Sequence, residues 1–180
     1  FSINGLQLGS GLLPKVVELS GNAKVQFGMK GYCDASKNVQ TIESVVNYDR
    51  SMGDVHPQGN PHYTLSIPRM IESLESIKDC LEKNFTIDKA MLQNNFIKTK
   101  KIMNEAFEKL KAKLKAKKYY VYHREFNYLK KDFGFQFSES LEKVPGVLPS
   151  ATYLAKLAIK SKEDKPLKVL AGHTSPRKIL

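Results

Sequence analysis

One segment constrains the fold of this chain more than any other: residues 86–118 contain neither glycine nor proline. Six apolar side chains recur there at intervals of 4, 7, 4, 3 and 4, which is the spacing of one face of an α-helix. They are Leu92, Phe96, Met103, Phe107, Leu110 and Leu114. A helix of about 30 residues forms a rod of roughly 45 Å, and Asp88 is placed to cap its first turn. The pattern therefore predicts one long rigid helix that ends near residue 118.

The opposite face of this segment is basic. Between residues 98 and 118, nine lysines stand against two glutamates, in a chain with a formal net charge of +11. Such a balance predicts attraction to polyanions or anionic surfaces but does not determine the fold. Aromatic side chains are not interleaved with these lysines, as a nucleic-acid stacking platform would require. We therefore expect this lysine-rich face to be exposed to solvent and expect no nucleic acid as a partner. The alternative is that the chain is a basic module that binds nucleic acid or anionic surfaces through this face.

The segments on either side of this helix indicate an α/β fold. Before it, the pattern predicts a strand at residues 1–6, a short helix at 12–20, a possible strand in ESVVNYD (43–49) and a helix from Pro68. After it, the expected elements are a strand in YYVYH (119–123), a helix in 124–135, a helix capped by Ser150 and a strand in 166–172. This alternation is typical of an α/β layer with a parallel sheet.

Cysteine content and the chain ends set further expectations. Cys33 and Cys80 lack the CxxC spacing of a zinc knuckle, so we expect two unrelated thiols, with one disulfide bond in an exported protein as the alternative.

The sequence contains neither a run of about 20 apolar residues, as a membrane span requires, nor the pattern of a signal peptide. Both ends read as interrupted elements, and we expect an incomplete piece of a longer protein.

Histidines provide the candidate chemistry. Two of the four lie in GDVHPQGNPHY (53–63), as His56 and His62. Neutral imidazole is a common zinc ligand, and in this loop Pro61 fixes the backbone next to His62. His123 ends a predicted strand, and parallel sheets bind ligands beyond the carboxyl ends of their strands. Each signal is weak alone, because a loop histidine is more often a surface residue.

The sequence gives no reason to expect an enzyme. No serine, cysteine or carboxylate pair has the context of a nucleophile or an acid–base couple, and no glycine pattern matches a phosphate-binding loop. A metallohydrolase that uses His62 and His123 to hold a catalytic zinc is a further alternative. It would need a general base close to the metal, and the loop supplies none clearly.

Five stretches carry a resemblance that covers essentially the whole chain. In chain order they are NGLQLGSGLLPKVVELSGN (4–22), GYCDAS (31–36), DRSMGDVHPQGNPHY (49–63), VYHREFNYLKKDFGF (121–135) and LEKVPGVLPSATYLAKL (141–157). Together they resemble the zinc/manganese-type solute-binding proteins of bacterial ABC transporters, and residues 49–63 are similar to the metal-binding loop of that family.

The resemblance implies two α/β lobes joined by a long rigid helix, with a metal held between the lobes by four side chains. On this basis we expect an N-terminal lobe in residues 1–85, a linking helix in 86–118 and a C-terminal lobe in 119–180. The second family ligand falls on His62 and the third on His123, whereas His56 is not expected to bind the metal directly. The first ligand, a histidine, would precede residue 1, and the fourth, an acidic residue, would follow residue 180.

The implied function is capture of a divalent metal ion and its delivery to the membrane permease of an ABC transporter. Zinc is the expected ion, with manganese as the alternative; the expected protein is a periplasmic or membrane-anchored extracytoplasmic monomer. Two departures bear on the metal. HYTLSIPRM (62–70) stands in place of the family's HYWLDP, and AGHTSP (171–176) brings an additional imidazole, His173, for which we expect a surface or supporting role rather than ligation.

Overall fold

A computed structural model describes residues 2–6, 11–47, 49–114, 117–166, 168–173 and 175–176. Helices and strands alternate along these residues, except that two long helices follow each other in the middle of the chain. In chain order they are β1 (Ser2–Ile3), α1 (Leu13–Leu19), β2 (Cys33–Asp34), α2 (Ile67–Asn84), α3 (Lys89–Lys113), β3 (Lys118–Val121), α4 (Asn127–Phe133), β4 (Gln136–Ser140), α5 (Ala151–Asp164) and β5 (Val169–Leu170).

All strand pairs among the described residues are parallel, which confirms the α/β class. β1 pairs with β2, and a second sheet has the order β4–β3–β5. The sequence did not indicate β4, and the strand expected in 43–49 is absent from the described part of that segment, residues 43–47 and 49. Residue 1 of the first predicted strand lies outside the described residues.

The best-packed part of the chain lies on one face of the second sheet. Tyr120 and Tyr122 are two positions apart on and just after β3, so their side chains point to the same face. There they form a buried cluster with Leu141, which follows β4, and with Leu157 of α5. This cluster fixes the end of β3, and therefore the start of the segment that carries His123.

Helix α3 begins where the sequence predicts but ends earlier. The Asp88 side chain accepts a hydrogen bond from the Met91 N–H at 2.9 Å, which confirms the predicted cap. The helix ends at Lys113, and Lys118 already belongs to β3, so the expected helix end near residue 118 is wrong. The physical reason is the β-prone run that begins at Tyr119: its pairing with two neighbouring strands fixes an extended backbone.

Helix α3 is also more exposed than its apolar stripe predicts. None of its side chains with described burial is fully buried, and Leu110 is 40% exposed. The helix packs along α2, and near its end Phe107 contacts Phe133 of α4 at 5.3 Å between ring centroids. Its basic face is partly paired, since the Lys100 ammonium lies 2.8 Å from the Glu75 carboxylate of α2.

The two cysteines form a disulfide bond between β2 and α2. The expectation of two unrelated thiols is therefore wrong. Helix α2 packs against β2 and brings the Cα atoms of Cys33 and Cys80 to 5.8 Å, a separation that a disulfide spans. Sequence spacing could not show this proximity, because 47 positions separate the two residues.

No helix among the described residues combines the length and the apolar character needed to cross a membrane.

Candidate metal centre

The structure brings the two predicted ligands together. His62 lies immediately before the short turn Tyr63–Leu65, and His123 lies two positions after the last residue of β3. Their ring centroids are 5.3 Å apart, and the ring planes cross at 83°. Both rings line a cavity of about 30 Å³, which is enough for one water molecule or ion.

The loop before His62 is held rigidly from several sides. Gly59 has φ +106°, and a Cβ atom there would lie 2.4 Å from the Thr41 hydroxyl, so only glycine fits. Asn60 and Pro61 are buried. The Asn60 side-chain oxygen accepts a hydrogen bond from the His62 backbone N–H at 3.0 Å. On the other side, the fully buried Tyr63 donates from its hydroxyl to the Asn4 carbonyl oxygen at 2.7 Å.

A carboxylate orients His123. One Glu142 oxygen lies 2.7 Å from His123 Nδ1 and also accepts a hydrogen bond from the Gly146 N–H at 3.1 Å. A carboxylate at this distance favours the tautomer that carries the proton on Nδ1, which leaves the lone pair of Nε2 available to a metal. The carboxylate–histidine pair is a common supporting arrangement around zinc.

The surroundings of His62 favour its neutral form. Burial, and to a smaller extent the neighbouring His123 and His56, lower the pKa of His62 to about 4, although Asp54 and Glu43 act in the opposite direction. An imidazole must be neutral to bind a metal. At neutral pH this ring is therefore ready to act as a ligand.

The other two histidines occupy different positions. His56 lines the same cavity as His62 and His123, and its Nε2 lies 3.8 Å from an Asp54 carboxylate oxygen. The sequence places His56 only in the same loop as His62, whereas in the structure it lies beside both histidines of the pair. His173 is exposed in a turn after β5, which agrees with a surface position.

Two imidazoles alone do not complete a zinc site, which ordinarily has four ligands. Among the residues that the structure describes, no three His, Cys, Asp or Glu side chains converge so that they could hold a metal ion. His62 and His123 could therefore supply at most two of the four ligands that such a site needs.

Sequence reasoning missed three polar residues around the pair: Glu43, Asn60 as a side-chain partner, and Glu142. Asn60 could have been found from its position two residues before His62, since asparagine side chains bond to nearby backbone groups. Glu43 and Glu142 had no local signal, because their contacts depend on the tertiary fold.

The departure at HYTLSIPRM has a local explanation. Ser66 caps α2: its hydroxyl oxygen accepts a hydrogen bond from the Arg69 N–H at 3.3 Å. The same hydroxyl donates to Asp132 at 2.5 Å. Serine and aspartate are both good N-cap residues, so serine can replace the acid of the family pattern without loss of the helix start.

A family model and several known proteins match this chain. The family described as "ZnuA: Zinc-uptake complex component A periplasmic" matches residues 1–180. Over 122 residues the chain is 28% identical to the zinc-binding lipoprotein AdcA of Streptococcus pneumoniae. The aligned region covers 66% of this chain and 24% of the lipoprotein. The alternative of a nucleic-acid-binding module finds no support in these matches.

Solved structures show the same fold. A crystal structure of ZnuA superposes with a TM-score of 0.71 at 20% identity, over 91% of this chain and 58% of that one. The solute-binding protein FpvC of Pseudomonas aeruginosa, in complex with Ni²⁺, gives a TM-score of 0.63 at 20% identity, over 92% of this chain and 56% of that one. The chain thus spans about a quarter of the lipoprotein and somewhat more than half of each solved structure.

Proposed function

This chain belongs to the family of periplasmic zinc-uptake components, and from that membership we propose that the protein captures a divalent metal ion and delivers it to the permease of an ABC transporter. The observation that carries the proposal is the pair of His62 and His123, whose rings lie 5.3 Å apart in the described structure. No covalent bond of a substrate is made or broken in such a role. The metal is cargo that is bound and released.

Zinc is the ion that these side chains favour. Neutral imidazole nitrogens bind zinc at roughly 2.0–2.1 Å, and His62 is kept neutral by its surroundings, with a pKa of about 4. A ligand set with more oxygen atoms would favour manganese. We propose His62 and His123 as direct ligands, with Glu142 as the group that presents His123 to the ion.

The proposed division into lobes places the metal where two parts of the chain meet. Residues 1–85 contribute His62 and residues 119–180 contribute His123, while the segment 86–118 connects them. Contacts across this boundary support the proposal. Tyr128 of α4 donates from its buried hydroxyl to the Asn60 carbonyl oxygen at 2.7 Å, and Ser66 donates to Asp132.

The partners and location follow from the same role. The S. pneumoniae relative is described as a zinc-binding lipoprotein, and we propose an extracytoplasmic, membrane-anchored location for this protein. A monomer without a nucleic-acid partner suits the role, since a single pair of lobes is enough to enclose one ion. The permease is then the macromolecular partner.

Competitive metal binding tests the proposal. The complete protein is dialysed against equal concentrations of Zn²⁺ and Mn²⁺ at pH 7.5, and the bound metal is measured by mass spectrometry. We expect about one zinc ion per protein and little manganese. A protein that retains neither metal contradicts the proposed function, and a preference for manganese contradicts the assignment of zinc.

A further inference from the structure

Asn60 lies at the centre of a hydrogen-bond network that involves both histidine segments. Its side chain is buried, with 6% of the residue surface exposed. The side-chain nitrogen donates to a Glu43 carboxylate oxygen and to the Arg124 carbonyl oxygen, each at 3.0 Å. The side-chain oxygen accepts from the His62 N–H at 3.0 Å. Both hydrogens of this amide and its oxygen are therefore used.

These bonds link the backbone beside one predicted ligand to the backbone beside the other. Asn60 contacts His62 two positions along the chain, and Arg124 directly follows His123. A single side chain thus joins two segments that are 64 positions apart. Buried amide hydrogen bonds of this kind have defined lengths and directions, so the link restrains the distance between the two rings.

Glu43 anchors Asn60 from the other side. One carboxylate oxygen accepts from Asn60, and the other accepts from the Asn127 side chain at 2.6 Å, at the start of α4. The Glu43 backbone has φ +61°, in the left-handed region that residues other than glycine rarely adopt. Such a conformation costs free energy and persists where surrounding contacts hold it, commonly near functional sites.

The backbone of Asn60 is fixed as well. Its N–H donates to the Ile42 carbonyl oxygen at 2.8 Å, and its carbonyl oxygen accepts from the Tyr128 hydroxyl at 2.7 Å. Tyr128 is fully buried. Asn60 cannot move without disturbing both α4 and the strained segment at Glu43.

We propose that Asn60 and Glu43 form a bridge that sets the separation of His62 and His123 before the metal arrives. They are positioning residues and do not themselves bind the ion. The inference rests on the proposed function, because it assigns the bridge to a metal site. Its physical basis is preorganisation: a ligand pair that is already in place loses less conformational entropy when the ion binds.

Two variants, Glu43→Gly and Asn60→Asp, disrupt the bridge, and two further variants serve as controls. Glu43→Gly removes the carboxylate, yet it permits the left-handed backbone, since glycine adopts positive φ readily. Asn60→Asp keeps an oxygen for the His62 N–H, loses both donated hydrogen bonds and places a second carboxylate beside Glu43. Glu43→Gln keeps the length and one acceptor oxygen and serves as the conservative rescue. Glu105→Gln, on the exposed face of α3, controls for the loss of one negative charge.

The first measurement is made on the metal-free complete protein. In the unaltered protein, the ring protons of His62 and His123 are close enough for a nuclear Overhauser contact, given the separation of 5.3 Å between ring centroids. We expect this contact to be lost in Glu43→Gly and in Asn60→Asp. It should persist in Glu105→Gln and be at least partly restored in Glu43→Gln.

The second measurement is zinc affinity by calorimetry. Residues that orient a metal ligand contribute about 10- to 100-fold to affinity, and we expect a loss of this size in Glu43→Gly and Asn60→Asp, with no change in Glu105→Gln. Retention of the ring contact in Glu43→Gly, whatever its zinc affinity, would overturn the bridge. Loss of the ring contact supports the bridge even if the unaltered protein fails to bind zinc, a result that would contradict the proposed function alone.

Discussion

At the scale of single residues, His62 carries the most informative electrostatic feature. Burial and the neighbouring rings of His123 and His56 lower its pKa to about 4, whereas a histidine in an unfolded chain titrates near pH 6.5. Between these two pH values the unfolded chain binds a proton that the folded protein does not. The contribution of neutral His62 to stability is therefore complete above about pH 6.5 and is lost as the pH falls towards 4.

This difference gives a prediction for the metal-free protein. The free energy of unfolding should decrease between pH 7 and pH 4.5 more steeply in the unaltered protein than in His62→Gln, which has no titrating ring at that position. Urea denaturation at several pH values measures both slopes. Equal slopes in the two proteins would show that His62 titrates normally in the folded state.

Glu142 gives a second prediction at this scale. Its carboxylate lies 2.7 Å from His123 Nδ1, and loss of such a supporting group costs about 10- to 100-fold in metal affinity. We expect Glu142→Gln to bind zinc about 10- to 100-fold more weakly than the unaltered protein. In the same variant, a larger share of His123 should carry its ring proton on Nε2. Calorimetry and the ¹⁵N shifts of the His123 ring provide the measurements, and an unchanged tautomer would contradict the assigned role.

Residues of the candidate site could be predicted from the sequence only where a local sequence pattern marks them. The loop, the strand end and the family resemblance predict His62 and His123, and the structure places the centroids of their rings 5.3 Å apart. Glu43 and Glu142 could not be found in this way. Their roles depend on contacts across 17 positions to Asn60 and 19 positions to His123, respectively.

At the scale of elements, most helices follow from capping and periodicity. Asp88 and Ser150 both cap helices as expected, because each side chain accepts a bond from the first helical turn. Strand β4 was missed because serine and glutamate interrupt its apolar pattern. Among the strands that the structure describes, it lies at the edge of its sheet and pairs only with β3, a position where polar residues are tolerated.

The disulfide between β2 and α2 gives a prediction at this scale. In the chain-entropy account, closing a loop of this length stabilises the folded state by about 4 kcal/mol. We expect a loss of that order when Cys33 and Cys80 are both replaced by serine. Urea denaturation measures it, and the variant should match the unaltered protein under a reducing agent. Equal stability of the oxidised and reduced proteins would contradict a structural role for the bond.

At the scale of the whole molecule, two segments that are distant in sequence meet at the pair of His62 and His123. Helix α3 separates them in sequence, and its exposed lysines account for much of the net charge of +11 without contributing to the histidine pair. We propose that His62 and His123 together bind zinc, whereas His56, which lines the same cavity, does not bind it directly.

Calorimetric titration of zinc into three variants of the complete protein distinguishes these histidines. The variants are His62→Ala, His123→Ala and His56→Ala, compared with the unaltered protein at pH 7.5. We predict that the first two each weaken zinc binding at least tenfold, or about 1.4 kcal/mol, and that His56→Ala has a much smaller effect. A large loss for His56→Ala alongside none for His62→Ala and His123→Ala would show that His62 and His123 are not the zinc ligands.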